Sequence, residues 1–408
     1  MIARPPLRDD LNAIARLTGW GYFPIAFIGR LPFAMMIVGI LSVVATVRGS
    51  VAEAGIAAAA AGIGTAALGP VMGSLADRWS QRTVLIAASV ISILSVGVFL
   101  WLVVSGAPIL ALAALAFLTG GTTPQVAPFS RSRLVVFAGT PRTEATRSRA
   151  MSMVMSYESI MDEASFVLGP VLVGVLTSLI APWAPLAVGA ALTATVVTAF
   201  ALHRTGAALP TSTPQATTTS ASAFSPEIAL LALGMLLAGA VFGSILTALT
   251  EFMTAQGSGE QTGIVYGAMS AGAILVALIL AVAPPRMSLH ARWALFASIG
   301  AIGAGALVFA PTIPAAAIAL FAAGCGIGAV LVALFSLGAK AAPPGRSTTV
   351  LTTLQSTLVV GQALATALGG WVSQAHGSAA GYLITVVAAV SLLVVAALYA
   401  WRFGRQRG

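Results

Sequence analysis

Gly73-Ser-Leu-Ala-Asp-Arg-Trp-Ser-Gln-Arg82 is a short polar island between two long apolar runs, at roughly residues 53–76 and 84–105. Asp77, Arg78 and Arg82 are charges that hydrocarbon would not tolerate without a partner, so the island reads as a membrane-surface loop between two spans. The same pattern continues in both directions. The 408 residues are 58% hydrophobic and 8% charged, and the mean hydropathy is +0.99. A soluble globular chain carries about 25% charge, so the fold class is an all-α integral membrane protein. Outer-membrane barrels are excluded because the apolar runs are continuous rather than alternating.

A helix needs about 20 apolar residues to cross the hydrocarbon, and the chain accommodates twelve. The first set is expected at roughly 22–47, 53–76, 84–105, 107–129, 150–180 and 183–203. The second set is expected at roughly 228–252, 262–283, 292–310, 314–338, 348–372 and 380–402. Between the sets lies Thr205–Pro226, rich in Ser, Thr, Ala and Pro and free of charge. It cannot bury a core and reads as a flexible cytoplasmic linker. The expected domains are therefore a six-helix half over 1–204, a linker over 205–226 and a second six-helix half over 227–408.

The net charge of +9 would point to nucleic acid in a soluble protein. Here it reflects positive cytoplasmic loops, and no nucleic-acid partner is expected. With both termini inside, the basic residues from Arg4 to Arg204 and from Arg286 to Arg407 fall on the cytoplasmic side. The exceptions are Arg48, which is external, and Arg30, which lies within the first span; the external loops hold Glu53, Glu251 and Glu260. This orientation obeys the positive-inside rule and implies a multi-pass protein of the plasma (inner) membrane. The N-terminal apolar run is too long for a cleaved signal and reads as the first span. The lone Cys325 cannot form an internal disulfide.

The island resembles the signature G-x-L-A-D-R-x-G-R-K, found between spans two and three of the major facilitator superfamily. Gly73, Leu75, Ala76, Asp77, Arg78 and Arg82 match, while Ser80 replaces the second glycine and Thr83 the last basic residue. Two parallel six-span halves joined by a cytoplasmic segment are also that family's layout. The resemblance implies twelve helices in two pseudo-symmetric halves and transport by alternating access. It also implies a gating motif at Gly73, Asp77, Arg78 and Arg82, in which Asp77 closes the inner gate. The expected partner is the start of span eleven, Pro343-Pro-Gly-Arg-Ser-Thr348, where a helix N-terminus would attract an anion. Charged loops are otherwise usually solvated, which is the plain alternative. The loop Pro284-Pro-Arg-Met-Ser-Leu-His-Ala-Arg292 keeps basic residues but no acid, so the halves are unequal.

Leu168-Gly-Pro-Val-Leu-Val-Gly174 in span five resembles the family's antiporter motif through Gly169, Pro170 and Gly174. It implies export in exchange for protons, and Gly169-Pro170 also marks an expected weak point in the helix. Its alternative is plain helix packing. Just before it stand Glu158, Asp162 and Glu163, acids inside an apolar span. Such residues normally work in a protein interior. Glu158 and Asp162 share one face, while Glu163 is turned about 100° from Asp162. Arg30, Glu158, Asp162 and Glu163 are therefore the candidates for proton coupling or substrate binding, with Asp162 and Glu163 the first choices for coupling and inner packing the alternative for Glu158. Arg30 is the expected counter-charge, with Arg131 and Arg133 at the inner end of span four as alternatives. Arg30-Leu-Pro, the basic end of span four and these acids together resemble bacterial efflux permeases. A buried ion-pair cluster is the structural alternative.

Gln125, Tyr157, Arg131, Gln355 and Gln362 complete the set of candidate cavity residues; a single amide more often bonds a neighbouring helix. His203, His290 and His376 show no metal-ligand spacing, and there is no nucleotide loop or Ser-His-acid grouping. The expectation is a non-enzymatic secondary transporter without cofactors, monomeric in the bilayer. It would export a small amphipathic compound in exchange for protons. A proton-coupled importer of a sugar or metabolite, or a receptor or scaffold on a transporter fold, are the alternatives.

Overall fold

A computed structural model of the chain describes residues 18–139, 144–208, 225–258, 262–282 and 287–403. Most of the expected linker (209–224) and the expectations at Arg4, Glu260, Arg286 and Arg407 lie outside the described residues.

Among the described residues, twelve helices are long and apolar enough to cross a membrane. They are Tyr22–Arg48, Glu53–Arg78, Gln81–Val104, Ile109–Ala138, Ala150–Leu179, Ala184–Leu202, Pro226–Ala255, Thr262–Ala281, Leu289–Val308, Ile313–Ala341, Ser347–His376 and Ser378–Phe403, spans one to twelve. Their starts are written in the sequence. Ser50, Ser80, Ser225, Ser288 and Thr312 each accept the backbone N–H three residues on, satisfying a donor that the helix leaves open. Pro226 and Pro314 follow two of these caps, at positions where a missing N–H costs nothing.

Two spans are not continuous helices, which the apolar pattern does not show. Span one is Tyr22–Ile28 followed by Leu31–Arg48. The break at Gly29-Arg30 sits just ahead of Pro32, whose ring excludes the carbonyl four residues back. Span four is Ile109–Thr122 followed by Val126–Ala138. Here Pro124 forces Thr123 out of helical geometry, to φ −61° and ψ 120°. Span five corrects an expectation in the opposite sense, because its helix runs unbroken from Glu144 to Leu179 through Pro170. The residue before that proline is Gly169, which has no Cβ to clash with the proline ring.

The chain forms two compact units. The first contains Met1–Val154, Ala164–Ser220 and Pro343–Thr353. In it span two packs on span four, span one on spans two and six, and span three on spans four and six. An apolar core joins Ile40, Val43 and Val44 of span one to Ala57, Phe99 and Leu112. The second unit contains Met155–Glu163, Ala221–Ala342 and Leu354–Gly408. In it span eight packs on span ten, span seven on span twelve, and span nine on spans ten and twelve. The pairings two–four, one–six and three–four of the first unit thus recur as eight–ten, seven–twelve and nine–ten.

Small residues make these crossings possible. A Cβ at Gly120 of span four would lie 2.7 Å from Ala61 Cα of span two, and one at Gly324 of span ten would lie 2.9 Å from Met269 Cα of span eight. In lipid there is no hydrophobic drive between helices, so such close backbone contact supplies much of the association. Gly120→Val and Gly324→Val are each expected to lose about 1–3 kcal/mol. The loss would be read as a lower midpoint of thermal aggregation in detergent, and an unchanged midpoint would contradict these crossings.

Candidate functional site

Span two ends in the sequence island, and its last turn is set against the first turn of span eleven. Gly73 allows the approach, since a Cβ there would overlap the Thr352 hydroxyl and lie 3.0 Å from the Thr348 carbonyl. One turn on, Asp77 Oδ1 accepts the Thr348 N–H at 3.1 Å. Its Oδ2 accepts the Thr349 N–H at 2.6 Å and the Thr349 hydroxyl at 2.7 Å. These amides belong to the first turn of Ser347–His376, where helices leave N–H groups unpaired and carry a partial positive charge. A carboxylate bound there makes charge-assisted hydrogen bonds, roughly twice as strong as neutral ones.

The clasp extends through residues that sequence reasoning missed. Gln81 Nε2 donates to Ser132 Oγ at 2.6 Å and to Thr348 Oγ1 at 3.1 Å. Gln81 Oε1 accepts from Arg133 Nε at 2.8 Å. Counted from Gly73, Gln81 rather than Thr83 occupies a basic position of the signature, and that departure was the available signal. Ser80 and Thr83, read as departures from the motif, together build the cap of span three: Ser80 Oγ accepts the Thr83 N–H at 3.1 Å. The run Ser347-Thr-Thr349 was the second signal, as hydroxyls clustered at a helix start. Arg78 and Arg82, by contrast, are exposed and make no hydrogen bond or ion pair among the described residues.

Arg131 and Arg133, expected at the inner end of span four, lie inside its second helix and are 1% and 0% exposed. Arg30 is buried at the span-one break, and its Nη1 donates to the Ala26 carbonyl at 3.2 Å. Gln125 stands at the span-four break, 2% exposed, and neither end of its amide has a hydrogen-bond partner among the described residues. Gly169 is a packing residue in the first unit: a Cβ there would lie 2.8 Å from the Ala34 backbone. Gly174 is exposed with open space around it, and Pro170 is exposed.

The second group of candidates belongs to the second unit. Met155–Glu163 of span five carries Tyr157, Glu158, Asp162 and Glu163. Glu158 is fully buried, Glu163 is 6% exposed, and Tyr157 and Asp162 are half-buried. Glu163 Oε2 accepts from the Ser270 hydroxyl of span eight at 3.4 Å. Tyr266, one helical turn before Ser270 on the same face, interacts electrostatically with Glu163, as does Asp162. Tyr266 and Ser270 were also missed; their signal was polar side chains four apart in an otherwise apolar run. Gln355 is buried and Gln362 half-buried on span eleven. Among the described residues no group of three His, Cys, Asp or Glu could hold a metal ion.

The sequence model described as Major Facilitator Superfamily matches residues 22–357. A bacterial homologue of the iron transporter ferroportin, in an outward-facing state, is similar in structure at 15% identity and a TM-score of 0.71, covering 93% of this chain and 100% of that one. The human organic anion transporter MFSD10 is similar at 17% identity and 0.64, covering 96% and 100%. The E. coli fucose:proton symporter is similar at 14% identity and 0.65, covering 92% and 98%. At these identities the likeness shows the fold. No curated protein matches the chain in sequence.

Proposed function

Because the chain belongs to the Major Facilitator Superfamily and is a secondary transporter, we propose that it exports a small amphipathic compound in exchange for protons. It does so by alternating access across the plasma membrane, with both termini in the cytoplasm. The observation that carries this proposal is Glu163, a carboxyl buried in the apolar part of span five and held by the Ser270 hydroxyl of span eight. An ionised carboxylate there needs its donor, because a bare charge in so dry a place is costly. A protonated one accepts from Ser270 only as a neutral group, so taking up a proton weakens the hold between span eight and span five. Proton transfer is thereby linked to movement between spans. The proton gradient suffices as a drive, since one charge crossing 100 mV yields about 2.3 kcal/mol. Export rather than import rests on the resemblance of Gly169-Pro170 to the antiporter motif. The positive loops put the Asp77 clasp on the cytoplasmic side, as its inner gate.

The test begins with growth of an overexpressing strain on a panel of toxic amphipathic compounds, with Asp77→Ala as control. Compounds tolerated only with the intact protein are then offered to inverted vesicles with an acidic lumen. Accumulation in the lumen that collapses when the pH gradient is dissipated is the expected result. Accumulation only in right-side-out vesicles with acid outside would establish import instead.

A further inference from the structure

Arg133 is a buried cation with no carboxylate within ion-pair distance among the described residues. Its surroundings are neutral acceptors. Nε donates to Gln81 Oε1 at 2.8 Å, and Nη1 donates to the Phe200 carbonyl at 2.7 Å and to Thr205 Oγ1 at 3.3 Å. The guanidinium carbon stands 4.0 Å from the centre of the Phe200 ring. One side chain thus holds the end of the loop after span two through Gln81, and the exit of span six through Phe200 and Thr205. Gln81 in turn holds the Thr348 hydroxyl, on the residue whose N–H binds Asp77.

His203 closes the far end of this chain. Its Nδ1 accepts the Thr205 N–H at 3.4 Å and stands 3.0 Å from Thr205 Oγ1. Accepting the Thr205 N–H requires a neutral ring with the proton on Nε2. The groups facing the ring are Arg133 from span four, its neighbour Arg204, and the Tyr22 ring of span one at 5.4 Å. Protonating the ring would remove the Thr205 N–H bond and set a second cation against Arg133 and Arg204. Burial, and then the charges of Arg133 and Arg204, hold the imidazole below its ordinary value of 6.5. The sign follows: the neutral arrangement is fully favoured above that value, and its contribution is lost as pH falls below it.

We infer that Arg133 is a positioning residue of the inner gate, and that it couples the Asp77 clasp to the charge on His203 at the exit of span six. Cytoplasmic acidification then loosens the clasp from a site that touches neither substrate nor Asp77. The inference rests on Asp77 acting as the clasp.

The test is amide hydrogen exchange of the full-length protein in lipid nanodiscs, read on a peptide containing Thr348 and Thr349 and corrected for intrinsic pH dependence. Between about pH 7.5 and about pH 5.5, where histidine titrates, wild-type protection is expected to fall roughly tenfold, the scale of one lost hydrogen bond to a charged group. His203→Gln cannot titrate and is expected to reduce this fall to under about twofold. Arg133→Lys keeps the charge but loses the planar fork, and is expected to lower protection at both pH values. Gln81→Ala breaks the same connection while leaving Arg133 its Phe200 and Thr205 acceptors, and is expected to do likewise if Arg133→Lys fails to fold. An unchanged pH response in His203→Gln overturns the coupling and assigns the response to Asp77 itself. Unchanged protection in Asp77→Asn at about pH 7.5 overturns the clasp beneath it.

Discussion

An Asp77→Asn protein is expected to insert and purify like wild type, yet to move substrate at less than about a tenth of the wild-type rate. The carboxylate accepts two backbone N–H groups and one hydroxyl at the start of span eleven. The amide keeps the shape but loses the charge, one acceptor and the attraction to the helix dipole. Hydrogen bonds to a charged group are worth about 1.5–3 kcal/mol, so the closed inner gate becomes roughly 10- to 100-fold less populated. Asp77 is half-buried at a span end, so no bilayer-core contact is lost and insertion should not suffer. Initial rates in vesicles matched for protein content give the comparison. A wild-type rate would make Asp77 an ordinary surface charge.

Glu163→Gln is the second large effect, and it separates coupling from transport. The amide can still accept from Ser270 but cannot gain or lose a proton. Uphill accumulation driven by an imposed pH gradient is expected to vanish, while counterflow exchange of labelled for unlabelled substrate persists. The counterflow rate should also lose its dependence on pH. Asp162→Asn is the necessary companion, because Asp162 is adjacent and only half-buried, and it should retain a gradient-driven signal. Full accumulation by Glu163→Gln would move the coupling role elsewhere.

The twelve spans were legible because each is an apolar run ended by caps, prolines or charge. The approach of span two to span eleven was legible for a related reason: an acid and a hydroxyl-rich helix start are complementary without knowledge of the packing. The breaks in spans one and four were not, because hydropathy averages over them. Only Pro32 and Pro124 hinted at them, and Pro170 gave the same hint falsely, since Gly169 absorbs the strain. Gln81 and Ser270 stayed hidden because neutral side chains carry no cost that demands explanation in a sequence. Their importance comes from what they touch. In sequence Arg133 reads as an alternative counter-charge to the span-five acids. Its hold on Gln81 and span six was not legible because its acceptors are carbonyls, a hydroxyl and an aromatic ring, none of which reads as a counter-ion.

The role of Asp77 in holding span eleven closed can be tested with one thiol. Thr352 is buried beneath Gly73, 1% exposed, and Cys325 is the chain's only cysteine. A Cys325→Ser, Thr352→Cys protein in liposomes should therefore react slowly with a water-soluble maleimide. Adding Asp77→Asn should speed labelling by at least about tenfold. Equal labelling rates with and without the Asp77 carboxylate would contradict the clasp, and with it the gate on which the transport cycle depends.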